Sequence, residues 1–152
     1  MPLEFEFSPE LELHRVEETI IKIKGGLYVS NRYEPILPQG IDPRTASREA
    51  ISEAIKSEFN AENYGKIAKK LDEYYLFIEP DFVRAFRQIF GNSSNSEFRA
   101  ILTRYDVGGS YRPPNTVLLN MDKDPEKIEK TLVHEICHLL IHPDIKKYKV
   151  LH

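Results

Sequence analysis

The chain has 152 residues, 41% of them hydrophobic, with a formal net charge of −3 and a single cysteine. This length and apolar content suit one domain over residues 1–152. The acidic balance excludes a broad basic surface, so we expect no nucleic acid as a partner. One cysteine cannot form an internal disulfide, and the first residues lack the basic start and apolar run of a signal peptide. No apolar run in the sequence is close to the length of about 18 residues that a membrane-spanning helix needs. We therefore expect a cytoplasmic protein without membrane contact.

The N-terminal part, about residues 1–40, is predicted to form an arm and a hairpin. Hydrophobic residues alternate with glutamates over residues 3–7, which is typical of a short strand or extended arm. The isoleucines within residues 20–23 lead to a glycine pair at 25–26, and residues 27–29 are again apolar. Two apolar runs around a glycine turn indicate a hairpin.

The middle part, about residues 44–91, is predicted to be helical. Apolar residues recur at helical spacing over residues 45–59 and again from 61 to about 75. A third helix is expected over residues 80–90, because Pro80 suits a first turn and Gly91 suits the position after a helix end.

The C-terminal part, about residues 97–142, is predicted to be a hairpin followed by a long helix. Residues 98–107 and 116–119 have the composition of strands, and glycines and prolines lie between them. Asp124 is a good N-cap and Pro125 a good first helical residue, so we expect a helix over residues 125–141. Pro143 is expected to end this helix, since the residue before a proline is pushed out of helical geometry.

The predicted helix contains an H-E-x-x-H motif formed by His134, Glu135 and His138. Two histidines four residues apart lie about one helical turn from each other, so both imidazoles can converge on one metal ion. The apolar residues of the helix fall on one sector and the motif side chains on the opposite one. The sequence therefore predicts a zinc ion, Zn²⁺, bound by His134 and His138, with Glu135 as the catalytic base that takes a proton from a metal-activated water.

The run TLVHEICHLLIH at residues 131–142, preceded by VLLN at 117–120, resembles the active-site region of zincin metallopeptidases. It is most similar to the ImmA/IrrE-type and small gluzincin-like proteases and less similar to SprT-like proteins, and the resemblance covers about residues 115–142. It implies that His134 and His138 bind zinc and that Glu135 is the general base. It also implies a strand antiparallel to the substrate just before the helix, between residues 98 and 120.

The third zinc ligand is left open by the sequence. Catalytic zinc takes three protein ligands, yet no glutamate follows Glu135 as the gluzincin pattern requires. His152 is the first candidate, because its spacing from His138 approximates the SprT-like arrangement. His142 and Asp144 qualify only if the chain turns sharply at Pro143. A ligand outside these residues, or a water molecule, is the remaining alternative.

These observations together predict an α+β, zincin-like domain with a small, mostly antiparallel sheet packed on helices that include the metal-binding active-site helix. The expected function is that of a zinc metalloprotease, an endopeptidase acting on an extended segment of a peptide or protein substrate docked along the hairpin edge. The alternative is a non-catalytic zinc-binding regulatory or interaction module. A metal-dependent RNase is the third possibility, disfavoured by the lack of a basic groove.

Two other residue types near the motif have alternative interpretations. Cys137 is expected to be a packed thiol, with a redox switch as the alternative. Tyr105 and Tyr111 are suitable donors to an oxyanion, but core or edge packing is the favoured interpretation of both.

Overall fold

The computed structural model of the chain describes residues 1–27, 34–91, 97–105 and 108–149, the last seven of these by their backbone only. Within these ranges the chain forms four strands and four helices. Their bounds in chain order are β1 Leu3–Glu6, α1 Pro9–Lys24, α2 Arg48–Glu58, α3 Ala61–Phe90, β2 Phe98–Thr103, β3 Ser110–Arg112, β4 Thr116–Asn120 and α4 Pro125–Lys149.

The strands form one mixed sheet in the order β1-β2-β4-β3. β1 pairs parallel with β2, β2 pairs parallel with β4, and β3 pairs antiparallel with β4. The predicted α+β class is confirmed. The expectation of a mostly antiparallel sheet is wrong, because two of the three pairings are parallel.

Side chains alternate between the two faces of the sheet and so contact two layers of helices. Ala100, Leu102, Val117 and Leu119 are buried in one cluster with residues of α3 and α4. Ile101 and Leu118 face the other way and lie beside Leu11 and other residues of α1. α1 and α2 build a second buried cluster around residues such as Val16, Ile20, Ile51 and Ile55.

A buried carboxylate ties α1 to its neighbours. Glu12 is fully buried, and its Oε2 accepts hydrogen bonds from Tyr64 Oη at 2.9 Å and from the Arg104 amide at 3.0 Å. Burial raises the pKa of Glu12 above its usual value, although these hydrogen bonds act in the opposite direction. The position of α1 on the sheet therefore includes a polar anchor as well as apolar packing.

Residues 9–24 form a helix, so the predicted hairpin around Gly25 is wrong. Ser8 caps the helix by accepting from the Leu11 amide at 3.1 Å, and Pro9 occupies the first turn. Val16 and Ile20, one turn apart, are buried against α2. The isoleucine run lowers helix propensity only slightly, and burial of this face outweighs it. Residues 28 and 29, predicted to start the second strand of that hairpin, lie outside the described residues.

α2 confirms the helix predicted over residues 45–59, with Ser47 as its N-cap. The two helices predicted on either side of Pro80 are instead one 30-residue helix, α3. An interior proline removes one backbone hydrogen bond and crowds the preceding turn. Tyr75 before Pro80 and Phe82 and Phe86 after it all pack in the same cluster, which keeps the two halves in line.

The predicted pairing of residues 98–107 with 116–119 as a hairpin is also wrong. β2 ends at Thr103, and Tyr105 turns into the second cluster, where its Oη donates to Glu58 Oε2 at 2.6 Å. The chain then passes to the far side of β4 and returns as β3, which forms the hairpin with β4. Residue 107, the predicted end of the first strand, lies outside the described residues.

α4 begins at Pro125 as predicted, where the Asp124 carbonyl accepts from the Ile128 amide at 3.1 Å. It does not end before Pro143 but continues to Lys149. The helix tolerates the missing amide of Pro143 at the cost of one backbone hydrogen bond. The sharp turn needed to bring His142 or Asp144 back toward the motif is therefore not present in the described chain.

Candidate metal centre

The motif lies on the part of α4 that packs against the end of the sheet formed by β3 and β4. Ile128, Leu132, Ile136, Leu139 and Leu140 are buried, as the helical period predicts. Their burial fixes the rotation of α4 about its axis. The same rotation leaves His134 exposed and His138 half-buried.

The two motif histidines converge. His138 Nε2 lies 2.9 Å from His134 Nε2, and the ring planes cross at 81° with centroids 4.5 Å apart. Two nitrogens that bind one tetrahedral zinc ion at about 2.0–2.1 Å lie about 3.3 Å from each other. A small rotation of either ring therefore opens the pair enough for both nitrogens to bind one ion.

The donor set fits zinc only in part. Imidazole nitrogens are favourable zinc ligands, and two of them are in place. Among the described residues no group of three His, Cys, Asp or Glu side chains converges on one point. His142 is exposed and lies two turns from His134 on the continuous helix, about 12 Å along the axis. The side chain of Asp144 and all of His152 lie outside the described residues, so His152 as third ligand stays a prediction.

Glu135 is buried, unlike the two histidines of the motif, because at about 100° per residue it lies between His138 and the buried side chains of Leu132 and Leu139. Its exposed fraction is only 7%, and its carboxylate has no hydrogen-bond or ion-pair partner among the described residues. Gly109 packs over the Glu135 side chain: a Cβ atom placed on this glycine would lie 3.6 Å from Glu135 Cγ. The carboxylate oxygens of Glu135 are not among the fully buried polar atoms without a partner in the described chain, so the burial concerns mainly the rest of the side chain.

Gly109, the residue before β3, lies close against α4. A Cβ at this residue would lie only 2.2 Å from Thr131 Cγ2, so no larger side chain fits without movement. The absence of a side chain allows the start of β3 to lie directly over the turn that precedes Glu135. The sequence indicated only a turn at this glycine, since its contact partner is distant in the chain.

Tyr111 is the aromatic residue that contacts the motif. Its ring stacks on His138 with centroids 4.7 Å apart and an interplanar angle of 9°, and it meets His142 edge-on at 6.0 Å. Tyr111 lies opposite Val117, on the sheet face that packs against α4. Stacking limits the rotation of the His138 ring. The sequence named Tyr111 as a candidate without indicating this contact, because the contact depends on the return of β3.

Two other residues were singled out in the sequence, Tyr105 and Cys137. Tyr105 is buried beside α2, which favours the packing interpretation. Cys137 is half-buried and free, and burial raises the pKa of its thiol, which favours a packed neutral thiol over a reactive thiolate.

β3 is the last strand on its side of the sheet. Within the described part of the chain no strand pairs with the edge of β3 that faces away from β4. An open strand edge is a template for an added strand. This edge lies next to the motif, because Tyr111 from β3 contacts His138 from α4.

A scan of protein-family models and searches of curated proteins and of solved structures found no match to this chain. None of the helices in the described ranges combines the length and the apolar content needed to cross a membrane.

Proposed function

We propose that the chain is a zinc-dependent endopeptidase that hydrolyses peptide bonds in an extended segment of a peptide or protein substrate. The observation that carries this proposal is the convergence of two imidazoles, whose Nε2 atoms lie 2.9 Å apart, on the helix turn that also carries Glu135. Zinc-dependent hydrolysis needs both a metal site and a base beside it.

His134 and His138 would hold the zinc ion through their Nε2 atoms. A bound zinc ion lowers the pKa of water and polarises a carbonyl oxygen. Glu135 accepts a proton from the attacking water and delivers it to the amide nitrogen as the C–N bond breaks, so the products are a carboxylic acid and an amine. Tyr111 keeps the His138 ring in its orientation through the stack.

The open edge of β3 supplies the substrate position. An extended peptide added to this edge would bind through main-chain hydrogen bonds, which accept many sequences, and through side-chain pockets, which select among them. Such a peptide would run beside α4 at the level of the motif. The resemblance to zincin peptidases, limited to residues 115–142, implies the same arrangement.

Digestion of unfolded casein by the zinc-loaded chain tests the proposal. Glu135→Gln should lower the cleavage rate by about 10²–10⁴-fold, the usual contribution of a general base, and should leave zinc binding intact. His134→Ala should abolish cleavage and weaken zinc binding together. Glu129→Gln removes an acid from the same helix outside the motif and should cleave like the parent. A parent chain that does not cleave casein, or a Glu135→Gln variant that cleaves at the parent rate, contradicts the proposal.

A non-catalytic zinc-binding module is the second candidate. It is favoured by the absence of a third converging ligand among the described residues. In that case Glu135→Gln would leave both zinc content and partner binding unchanged, and no cleavage would be found in any variant. The casein experiment therefore separates the two candidates.

A further inference from the structure

A cavity of about 210 Å³ lies between the residues that precede β3, the end of β4 and the first turns of α4. Its lining includes Gly109, Asn120, Lys123, Lys127 and Thr131. A volume of this size holds a group of several heavy atoms, since one water molecule occupies about 30 Å³ in the liquid. The function proposed above uses none of the polar groups of this cavity.

The cavity is basic although the chain carries a net charge of −3. Lys123 and Lys127 are exposed at its rim, and neither makes an ion pair within the described residues. Among the residues that the structure describes, no carboxylate lines the cavity. Lys130, one turn further along the helix face, differs because its Nζ lies 3.1 Å from Glu126 and because it does not line the cavity. The two rim lysines therefore supply positive charge that no described side chain neutralises.

Asn120 adds a polar donor to the lining. Asn120 is 3% exposed, and its side-chain Oδ1 accepts a hydrogen bond from the backbone amide of Asp122 at 2.9 Å. This bond fixes the orientation of the side-chain amide, because the Asp122 amide needs an acceptor and not a second donor. The Nδ2 that remains is buried without a hydrogen-bond partner in the described chain. An unpaired buried donor is costly unless it meets an acceptor.

The cavity adjoins the motif. Thr131 belongs to its lining and precedes Glu135 by four residues, which is about 6 Å along the helix axis. Gly109 also lines the cavity and covers Glu135. One residue of an extended peptide spans about 3.3 Å. The cavity is therefore one or two residues away from the peptide bond that would lie at Glu135.

From this geometry we propose that the cavity is a specificity subsite for an acidic substrate residue, an Asp or Glu one or two positions from the cleaved bond. The inference rests on the proposed function for the path of the peptide. Lys123 and Lys127 pair with the carboxylate, and the amide of Asn120 donates to it. The expected substrates are therefore extended segments that carry an Asp or Glu at one fixed distance from the cleaved peptide bond.

Peptide binding to the full-length, metal-free Glu135→Gln chain tests the subsite without zinc or turnover. The probes are fluorescent eight-residue peptides of alternating Thr and Val, blocked at both ends, with one Glu moved through every position, and a matched Gln series. A Gln peptide with a free C-terminal carboxylate distinguishes a chain terminus from a side chain as the source of the anion. Fluorescence anisotropy gives the affinity of each peptide.

We expect one or two adjacent Glu positions to bind about tenfold tighter than their Gln counterparts. Lys127→Gln should reduce this preference, and Lys123→Gln with Lys127→Gln should remove it. The matched control Lys130→Gln makes the same charge change outside the cavity and should retain the preference. The inference is overturned by a Glu preference that is absent, that does not depend on position, or that Lys130→Gln reduces as much as Lys127→Gln does. It is also overturned if the Gln peptide with the free C-terminus binds tighter than every peptide with an internal Glu.

The failure of this inference is distinguishable from failure of the proposed function. If casein is cleaved but no Lys127-dependent Glu preference exists, the subsite is wrong and the peptidase proposal stands. If the preference exists but casein is not cleaved, the subsite stands as an acidic-peptide site and the peptidase proposal is wrong.

Discussion

Replacing Gly109 with alanine is expected to destabilise the chain, because this glycine sets the distance between β3 and α4. The new Cβ would lie 2.2 Å from Thr131 Cγ2, whereas ordinary contact begins at 3.4 Å. One of the two groups must move by about 1 Å, and overpacking of this kind costs about 1–3 kcal/mol. With a urea m-value of about 2 kcal/mol/M, the unfolding midpoint should fall by about 0.5–1.5 M.

Thr131→Ser supplies the test of this cause. It removes Cγ2 but keeps the hydroxyl, which in the parent donates to the Lys127 carbonyl at 2.8 Å. In the Gly109→Ala and Thr131→Ser double variant most of the loss should be recovered, giving a coupling energy of about 0.5–3 kcal/mol in a double-mutant cycle.

Gly65→Ala is the matched control for the glycine substitution itself. Gly65 lies inside α3 with nothing within 4 Å of its added Cβ, so alanine should stabilise the chain by about 0.5–1 kcal/mol. The reasoning is refuted if Gly109→Ala unfolds at the parent midpoint, or if Thr131→Ser fails to recover its stability.

Three further predictions concern the site and the core. Tyr111→Ala should weaken zinc binding about 2- to 10-fold in a titration, because the stack on His138 is lost. Tyr111→Phe keeps the ring and should bind zinc like the parent, so equal weakening in both variants would contradict the stacking role. Burial raises the pKa of Glu12 above its usual value of 4.5. Between pH 4.5 and this raised pKa, the folded chain therefore binds more protons than the unfolded chain does. Its stability should therefore fall as the pH rises from about 4.5 through the raised pKa, and Glu12→Gln should lack this slope in urea unfolding; parallel pH profiles would argue against it. Leu132→Ala should cost about 2–5 kcal/mol because this side chain is fully buried, while Leu76→Ala, at a residue 63% exposed, should cost less than about 0.5 kcal/mol; similar losses would contradict the assigned packing of α4.

The helices with a clear apolar period were predictable from the sequence, and those that depend on tertiary packing were not. α2 has a local cap, Ser47, and α4 begins at a proline, and both helices carry periodic apolar residues, so their prediction needed no distant partner. α1 was interpreted as a strand at its end because of its isoleucines, and α3 was divided at Pro80. In both cases burial against other elements outweighs a local preference of a few residues.

The sheet topology was not readable from the strands alone. Residues 98–103 and 116–120 have strand composition, but composition does not specify whether neighbours run parallel. β2 ends shortly before Tyr105, whose hydroxyl contacts Glu58, a residue 47 positions earlier in the chain. A contact between residues so far apart cannot be predicted from the local sequence pattern.

The candidate site was predictable where it depends on one helix. Helical spacing alone brings His134 and His138 together, and the Nε2 separation of 2.9 Å agrees with it. The burial of Glu135 follows in part from the same spacing, since it lies three and four residues from the buried Leu132 and Leu139. The stack of Tyr111 was not predictable, because it requires β3 to lie against α4. A third ligand could not be assigned from spacing, and among the described residues none joins the pair.

Zinc titration of the purified parent and its histidine variants tests the central claim most directly. The account predicts one zinc ion per chain, with affinity reduced in His134→Ala and in His138→Ala by more than the about 10–100-fold typical of losing an outer-shell partner. His14→Ala, which removes an exposed histidine of α1, should bind zinc like the parent. A parent that binds no zinc, or motif variants that bind it as tightly as the parent does, would contradict the account.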